Sequence, residues 1–303
     1  MKIITSLVVL IPYFEDEKAL LELLSKLKSI SQKLYLVIVD DGSISKFLTL
    51  EPLANKGIPG TLIRLKRNTG PQRAIATGLT FIYNEIDTEH VLIMDSDGED
   101  QPENIPALLK FKQLNPSTDI VVASRLSRKN SFSFKFLYFI YKFMFRTITG
   151  KSMNFGHFSL ISKNAVSRII NYSELWLHLG STYIVSKLNI ASIPLPKGPK
   201  YDDRPGSGYL SLINHGIRSI IALSELMISR IFVFCSLSAA VITTATLWSL
   251  IFNSGIDPYL GMLSVLFIVL NCATIMLFLG LARNAGEYSI SSYEQLIEET
   301  LDF

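Results

Sequence analysis

The sequence predicts an α/β fold: a doubly wound, mostly parallel sheet, followed by amphipathic interfacial helices and a two-helix transmembrane hairpin. Three observations predict it. Short apolar runs alternate with helical patterns from the first residues, those runs end in acidic or glycine-containing loops, and two long stretches near the end carry no charge. Strands alternating with helical segments argue for βαβ units and a parallel sheet.

Lys2 to Ile11 reads as the first strand, running into Pro12-Tyr13-Phe14-Glu15-Asp16-Glu17. Glu17 to Ser31 reads as a helix with Leu20, Leu23, Leu24 and Leu27 on one face. Lys33 to Val39 is a second apolar strand, and it ends in Asp40-Asp41-Gly42-Ser43. Leu62 to Lys66 is a short strand leading into Arg67-Asn68-Thr69-Gly70-Pro71-Gln72-Arg73 and a helix from about Gln72 to Glu85. His90 to Met94 is a fourth strand and Ile120 to Ala123 a fifth. The polar loops then gather at the carboxyl edge of the sheet, where open α/β sheets bind their ligands.

The fourth strand ends in Asp95-Ser96-Asp97. Side chains two apart on an extended chain share a face, so both carboxylates can converge on one point. Two hard oxygen donors suit Mg²⁺ or Mn²⁺ that keeps part of its shell for phosphate oxygens. Asp-x-Asp-Gly also occurs in haloacid-dehalogenase phosphatases, but Glu99 stands where their Thr is expected and the motif is not on the first strand. A calcium loop would need flanking helices, whereas here a strand and a proline-containing segment flank it. In outline this is a site for a nucleoside diphosphate.

The chain resembles family 2 glycosyltransferases of the GT-A fold, in the branch of dolichol-phosphate mannose synthase and bacterial polyprenyl-phosphate glycosyltransferases. The resemblance rests on Ile11-Pro12-Tyr13-Phe14-Glu15, Val39-Asp40-Asp41-Gly42-Ser43, Arg67-Asn68-Thr69-Gly70 with Ala74 and Gly78, and Met94-Asp95-Ser96-Asp97. Pro102-Glu103, Ala123-Ser124-Arg125 and Gly156-His157-Phe158-Ser159-Leu160-Ile161-Ser162 follow in the same order. It implies transfer of a sugar from a nucleotide-diphosphate sugar to a lipid acceptor, foremost a polyprenyl phosphate, with inversion, for a cell-envelope glycan. It further implies nucleotide binding by Pro12, Tyr13, Glu15, Asp40, Asp41, Asn68, Arg73 and Asp95, and a metal held by Asp95, Asp97 and Glu99. Asp97, Arg125 and Arg204 are the expected catalytic residues, and Arg125, Arg128 and Arg204 the expected clamp on the acceptor phosphate.

Departures from the branch are specific. Glu99 replaces a Gln, Asn154 and His157 stand in place of an acidic pair, and the arginine loop is shortened to Arg204-Pro205-Gly206-Ser207-Gly208-Tyr209. Two alternatives stay open: transfer to a diacylglycerol or polysaccharide, and a non-catalytic nucleotide-sugar or lipid-binding partner in a membrane complex. His157 is a candidate acid or base, as are Glu174 and His178; His215 is given no role.

Ile231 to Phe252 and Tyr259 to Ala282 contain no charged residue. Each is long enough to cross a bilayer core of roughly 30 Å at about 1.5 Å per residue. Arg230 and Arg283 flank the pair opposite its turn, which places both termini and the catalytic domain in the cytoplasm. The expected organisation is residues 1–208 as the catalytic domain, 209–230 as a juxtamembrane amphipathic helix, 231–282 as the hairpin and 283–303 as a cytoplasmic tail. The amino-terminal run is too short, and leads too soon into Pro12 and acids, for a signal peptide. Cys235 and Cys272 both fall in the expected spans, so no disulfide framework is implied.

Net charge is only +3, but its placement is informative. Arg125 to Lys151 carries seven cations and no acid, interleaved with aromatic residues. The helix expected at about 132–148 puts Lys135, Lys142 and Arg146 on one face and suits an anionic membrane surface. Nucleic acid is not an expected partner beside such a hairpin; a membrane lipid is, and a second copy of the chain is a further candidate.

Overall fold

The computed structural model describes residues 2–30, 34–45, 48–125, 146–147, 156–201, 216, 218–219, 221–252, 258–285 and 293–303. Its centre is strand β1 (Ile3–Tyr13), buried at every position from Leu7 onward. Such continuous burial requires cover on both faces, as in parallel sheets flanked by helices. β1 pairs in parallel with β2 (Leu34–Asp40) on one side and β4 (Ile86–Ile93) on the other, and β2 pairs in parallel with β3 (Gly60–Leu65). Helices α1 (Glu17–Leu27) and α3 (Pro71–Glu85) make two of the crossovers, and a short α2 (Leu50–Ala54) lies between β2 and β3.

Period-two alternation sorts β1 into two cores. Val8 and Leu10 pack with Ile75, Leu79 and Ile82 of α3, while Leu7, Val9 and Ile11 pack with Leu20, Leu23, Leu24 and Leu27 of α1. α1 starts where Asp16 accepts a hydrogen bond from Ala19 N at 3.3 Å. Beyond β4, α4 (Ile105–Leu114) packs on the α1 side, and α5 (Lys163–Ile169) and α6 (Leu179–Val185) on the other.

Among the described residues the sheet has eight strands in the order β7-β5-β6-β4-β1-β2-β3-β8, the last of them Ile297–Asp302, antiparallel to β3. Strand β6 (Ser159–Ser162) runs antiparallel to both β4 and β5 (Ile120–Arg125), and β5 is parallel to β7 (Ile190–Leu195). Only β6 and β8 therefore oppose the other six, and the mostly parallel expectation holds. The order reverses between β1 and β4, so the switch-point crevice opens where Tyr13 and Ile93 end their strands.

The last residues differ from expectation. Residues read from the sequence as a tail form α9 (Tyr293–Leu296) and β8 (Ile297–Asp302), and β8 closes the sheet antiparallel to β3, with Leu62 opposite Leu301 and Arg64 opposite Glu299. Between the sheet and this return lie α7 (Ser224–Phe252, 29 residues) and α8 (Pro258–Ala285, 28 residues), packed on each other. The side chains of several residues of each lie outside the description; among the described residues no helix is long and apolar enough to cross a membrane. Of the 209–230 stretch, residues 209–215, 217 and 220 lie outside the described residues and residues 224–230 form the start of α7, so the expected juxtamembrane helix and first span are continuous there. Most of the basic 132–148 segment also lies outside the described residues.

Candidate active site

Three loops are laced together at the carboxyl ends of β1, β2 and β3. Glu15, at φ 54°, receives Ile44 N at 2.7 Å and Ser45 N at 2.8 Å on its carboxylate, and also the Ser45 hydroxyl. Its own N–H donates to Ser43 Oγ at 3.0 Å. Asp40 accepts from Ser43 N at 3.0 Å and lies 3.8 Å from Arg64 Nε. Asp41 receives Thr69 N at 2.7 Å, Thr69 Oγ1 at 2.9 Å and Gly70 N at 2.7 Å. Gly42, at φ +70°, permits this lacing, because a Cβ there would stand 2.4 Å from the Arg67 carbonyl carbon.

This geometry shows where the residues of the expected nucleotide pocket stand. Pro12 and Tyr13 belong to β1 itself, and Pro12, the Tyr13 ring and the Asp40 carboxylate are buried. Asp41 is equally buried, and its oxygens hold the Thr69–Gly70 backbone. Glu15 is half-buried; its carboxylate holds the 43–45 turn. Asn68 is exposed on the loop and Arg73 half-buried in the first turn of α3. These acids shape the crevice from behind. Burial raises the carboxyl pKa of both Asp40 and Asp41 above the ordinary aspartate value, against the lowering effect of their hydrogen bonds.

Asp41→Ala is therefore expected to act through the loop. It orphans two backbone N–H groups, a loss of about 1–3 kcal/mol. Chemical denaturation should register that loss, and nucleotide affinity should fall with it. Unchanged stability in the variant would contradict the bracing role.

On the other side of the crevice, Asp95 and Asp97 follow β4 as expected. The turn is set by Asp95 N donating to Asp100 Oδ2 and Glu99 N to Asp97 Oδ1, each at 3.0 Å. The two side chains are 33% and 27% exposed, open enough to meet a ligand. His157 Nδ1 stands 3.9 Å from Asp95 Oδ1, so this residue of the resemblance does reach the acidic pair. Glu99, the third expected ligand, has its carboxylate paired with Lys197. Among the described residues no group of three or more His, Cys, Asp and Glu could hold a metal ion. What the chain offers a divalent cation is the Asp95–Asp97 pair, whose hard, part-exposed oxygens fit Mg²⁺ or Mn²⁺ completed by phosphate and water.

Two lysines were missed by sequence reasoning. The segment after β7 lies along the acidic turn, with Gly198 N donating to Glu99 O and Tyr201 N to Asp97 O, both at 2.9 Å. It brings Lys197 to Glu99 and Lys200 Nζ to 3.1 Å from Asp97 Oδ2. Burial pulls the Lys197 ammonium below the ordinary lysine value, with the charge of Asp97 pulling the other way. The Tyr201 ring covers Gly98, where any Cβ would meet it at 2.7 Å, and Lys26 Nζ caps that ring at 4.2 Å from its centroid. The only signal in the sequence is the Lys-Gly-Pro-Lys run, and nothing local assigns it to this edge.

A small open recess beside these acids is lined by residues that include Glu99, Ser124, Gly156, Phe158 and Lys197. Arg125 ends β5 opposite Leu195, so its backbone stands at the same edge. Arg128, Asn154, Arg204 and His215 lie outside the described residues. His178 is not a pocket residue: it is buried, and its Nδ1 accepts from Ser181 N at 3.0 Å to cap α6. Glu174 sits in the 3₁₀ turn before it, accepting His178 N on its carbonyl at 2.8 Å.

A sequence model described as Glycosyl transferase family 2 matches residues 8–170. The undecaprenyl-phosphate 4-deoxy-4-formamido-L-arabinose transferase of Serratia proteamaculans is 30% identical over 183 residues, 58% of this chain and 53% of that protein. The enzyme of the same name from Edwardsiella ictaluri is 25% identical over 243 residues, 76% of this chain and 72% of that protein. The chain spans about half the length of most of the curated relatives it matches. Among solved structures, glucosyl-3-phosphoglycerate synthase from Mycobacterium tuberculosis, crystallised with Mn²⁺, UDP and glucosyl-3-phosphoglycerate, superposes with a TM-score of 0.55. At 13% identity, covering 74% of this chain and 80% of that one, the likeness is one of fold.

Proposed function

The chain belongs to glycosyl transferase family 2, and on that premise we propose that it moves a sugar from a nucleotide-diphosphate sugar to a polyprenyl phosphate at a membrane. The observation that carries this reading is the position of Asp95 and Asp97. They stand at the switch point of the sheet, between loops braced by Asp41 and Glu15 and a segment that brings Lys197 and Lys200. Two anions must meet in such a transfer, and cations with pre-set loops are what a protein can supply.

Mg²⁺ or Mn²⁺, bound by Asp95 and Asp97, would neutralise the diphosphate and ease departure of the nucleoside diphosphate. The chain's own part is positioning. A lipid phosphate oxygen is already ionised at neutral pH, so attack on the anomeric carbon needs no general base, and displacement from the opposite face inverts it. Arg125 at the end of β5, with Arg128 and Arg204, would clamp the acceptor phosphate.

The membrane assignment rests on α7 and α8. Within them run the uncharged stretches 231–252 and 259–282, some of whose side chains lie outside the description; at about 1.5 Å per residue each is long enough for a hydrocarbon core of about 30 Å. Val233, Phe234, Leu237, Val265, Leu266 and Ile268 are exposed apolar side chains on them. Hydroxyls on them bond their own helix backbone: Thr243 Oγ1 donates to Ala239 O and Thr274 Oγ1 to Leu270 O, both at 2.7 Å. Lipid demands that internal satisfaction. Two crossings also return the chain to the side it left, as pairing of β8 with β3 requires. We place that side, and both termini, in the cytoplasm.

The test is transfer by the full-length protein in membranes, with polyprenyl phosphate and a panel of nucleotide sugars. Metal-dependent formation of a lipid-linked sugar from one donor is expected. Transfer only to a soluble acceptor would overturn the lipid reading.

A further inference from the structure

The acidic turn carries a cation of its own. Lys200 Nζ lies 3.1 Å from Asp97 Oδ2, on a segment stitched to the turn through Gly198 N and Tyr201 N. The two lysines of that segment differ in freedom. Lys197 is 13% exposed and paired with an equally buried Glu99, whereas Lys200 is 32% exposed. An ammonium on a flexible four-carbon stem at a part-open site reorients readily; one enclosed with its partner does not. A divalent ion on the same carboxylate would sit about 2.0–2.1 Å from its oxygen. It cannot share Asp97 Oδ2 with an ammonium at contact distance without strong like-charge repulsion.

We propose that Lys200 is an exchangeable counter-cation of the Asp95–Asp97 site, holding Asp97 in the nucleotide-free protein and moving to the diphosphate when a divalent ion takes the carboxylate. The inference rests on the metal-assisted reading above and adds to it an order of events. The backbone bonds of Gly198 and Tyr201 keep the segment in place, so only the side chain moves, and it remains within one side-chain length of Asp97. Lys200 thereby competes with the metal alone and assists the metal–nucleotide pair. Because binding couplings are reciprocal, it makes metal and nucleotide bind as a unit.

The experiment uses the full-length protein in detergent, with binding as the readout. Mn²⁺ alone is titrated by the loss of its free-ion paramagnetic signal; UDP, GDP and CDP are titrated calorimetrically at saturating Mn²⁺, keeping whichever the unaltered protein binds. Lys200→Gln is expected to tighten Mn²⁺ alone and weaken the nucleotide in the presence of Mn²⁺, each by about five-fold or more. Lys200→Arg should resemble the unaltered protein in both. Unchanged or weaker Mn²⁺ binding in Lys200→Gln overturns the proposal, and so does an unchanged or tighter nucleotide. Asp97→Asn separates the two levels: if it binds Mn²⁺ and nucleotide like the unaltered protein, the metal reading itself fails. If it loses both while Lys200→Gln alters neither, only the exchange is wrong.

Discussion

Replacing Asp97 by Asn is expected to lower sugar transfer by about 10²–10³-fold, the usual cost of removing one pre-set electrostatic group from an active site. The amide keeps the shape and can still accept Glu99 N, which now bonds Asp97 Oδ1 at 3.0 Å. It removes the charge that faces Lys200 and would hold a divalent ion. The fold should barely respond: Asp97 and Lys200 are 27% and 32% exposed, and an ion pair so open to water contributes no more than about 1 kcal/mol. The measurement is therefore double, transfer rate across a metal titration and a denaturation curve on the same protein. Near-normal transfer with unchanged metal dependence would show that the acidic pair is not where the metal acts.

How much of this was visible in the sequence depends on how local each feature is. Asp95 and Asp97 were legible because a strand ending and an i, i+2 acidic pair occupy a few consecutive residues. Glu15, Asp40 and Asp41 were legible as a cluster, but their direction was not: which side of a tight loop an acid faces is decided by partners such as Ser43, Thr69 and Gly70 from other strands. Lys197 and Lys200 look like any two lysines of a solvated Pro/Gly loop until β7 is placed beside β5. Strand β8 was the hardest. Its inward positions are Ile297, Glu299 and Leu301, and an acid in the middle breaks the apolar alternation that marks a half-buried strand. Glu299 stands there because Arg64 waits opposite, a fact held some 235 residues away in the chain.

That pairing leads to the largest expected effect on the fold. Arg64 is 5% exposed and joins three elements: it donates to Leu48 O at 2.7 Å, faces Asp40 of β2 and pairs with Glu299 of β8. Arg64→Met keeps much of the aliphatic bulk but leaves Asp40, with no exposed surface, buried without its cation. Breaking a hydrogen-bonded buried pair from one side costs about 3–5 kcal/mol. Arg64 Nε and Asp40 Oδ2 stand 3.8 Å apart without a hydrogen bond, so the expected loss is at or below the lower end of that range. Glu299, 39% exposed, can turn to water and contributes little to that loss. Burial already raises the Asp40 carboxyl, and Arg64 is among the groups holding it down. Removing Arg64 must raise it further. A carboxyl raised in the folded state favours folding below its unfolded value, and that contribution is lost as pH rises through the folded value. The deficit of Arg64→Met should accordingly be largest near neutral pH and shrink as the solution is acidified. Adding Asp40→Asn should recover part of it at neutral pH, since the uncompensated charge goes with it. Denaturant melts of the three proteins at two pH values are the check; a deficit that grows on acidification would show that Asp40 is not its source. The same contact explains why a catalytic domain cut after Gly208 is expected to be less stable than the whole chain: it lacks β8, and with it the Glu299 that faces Arg64.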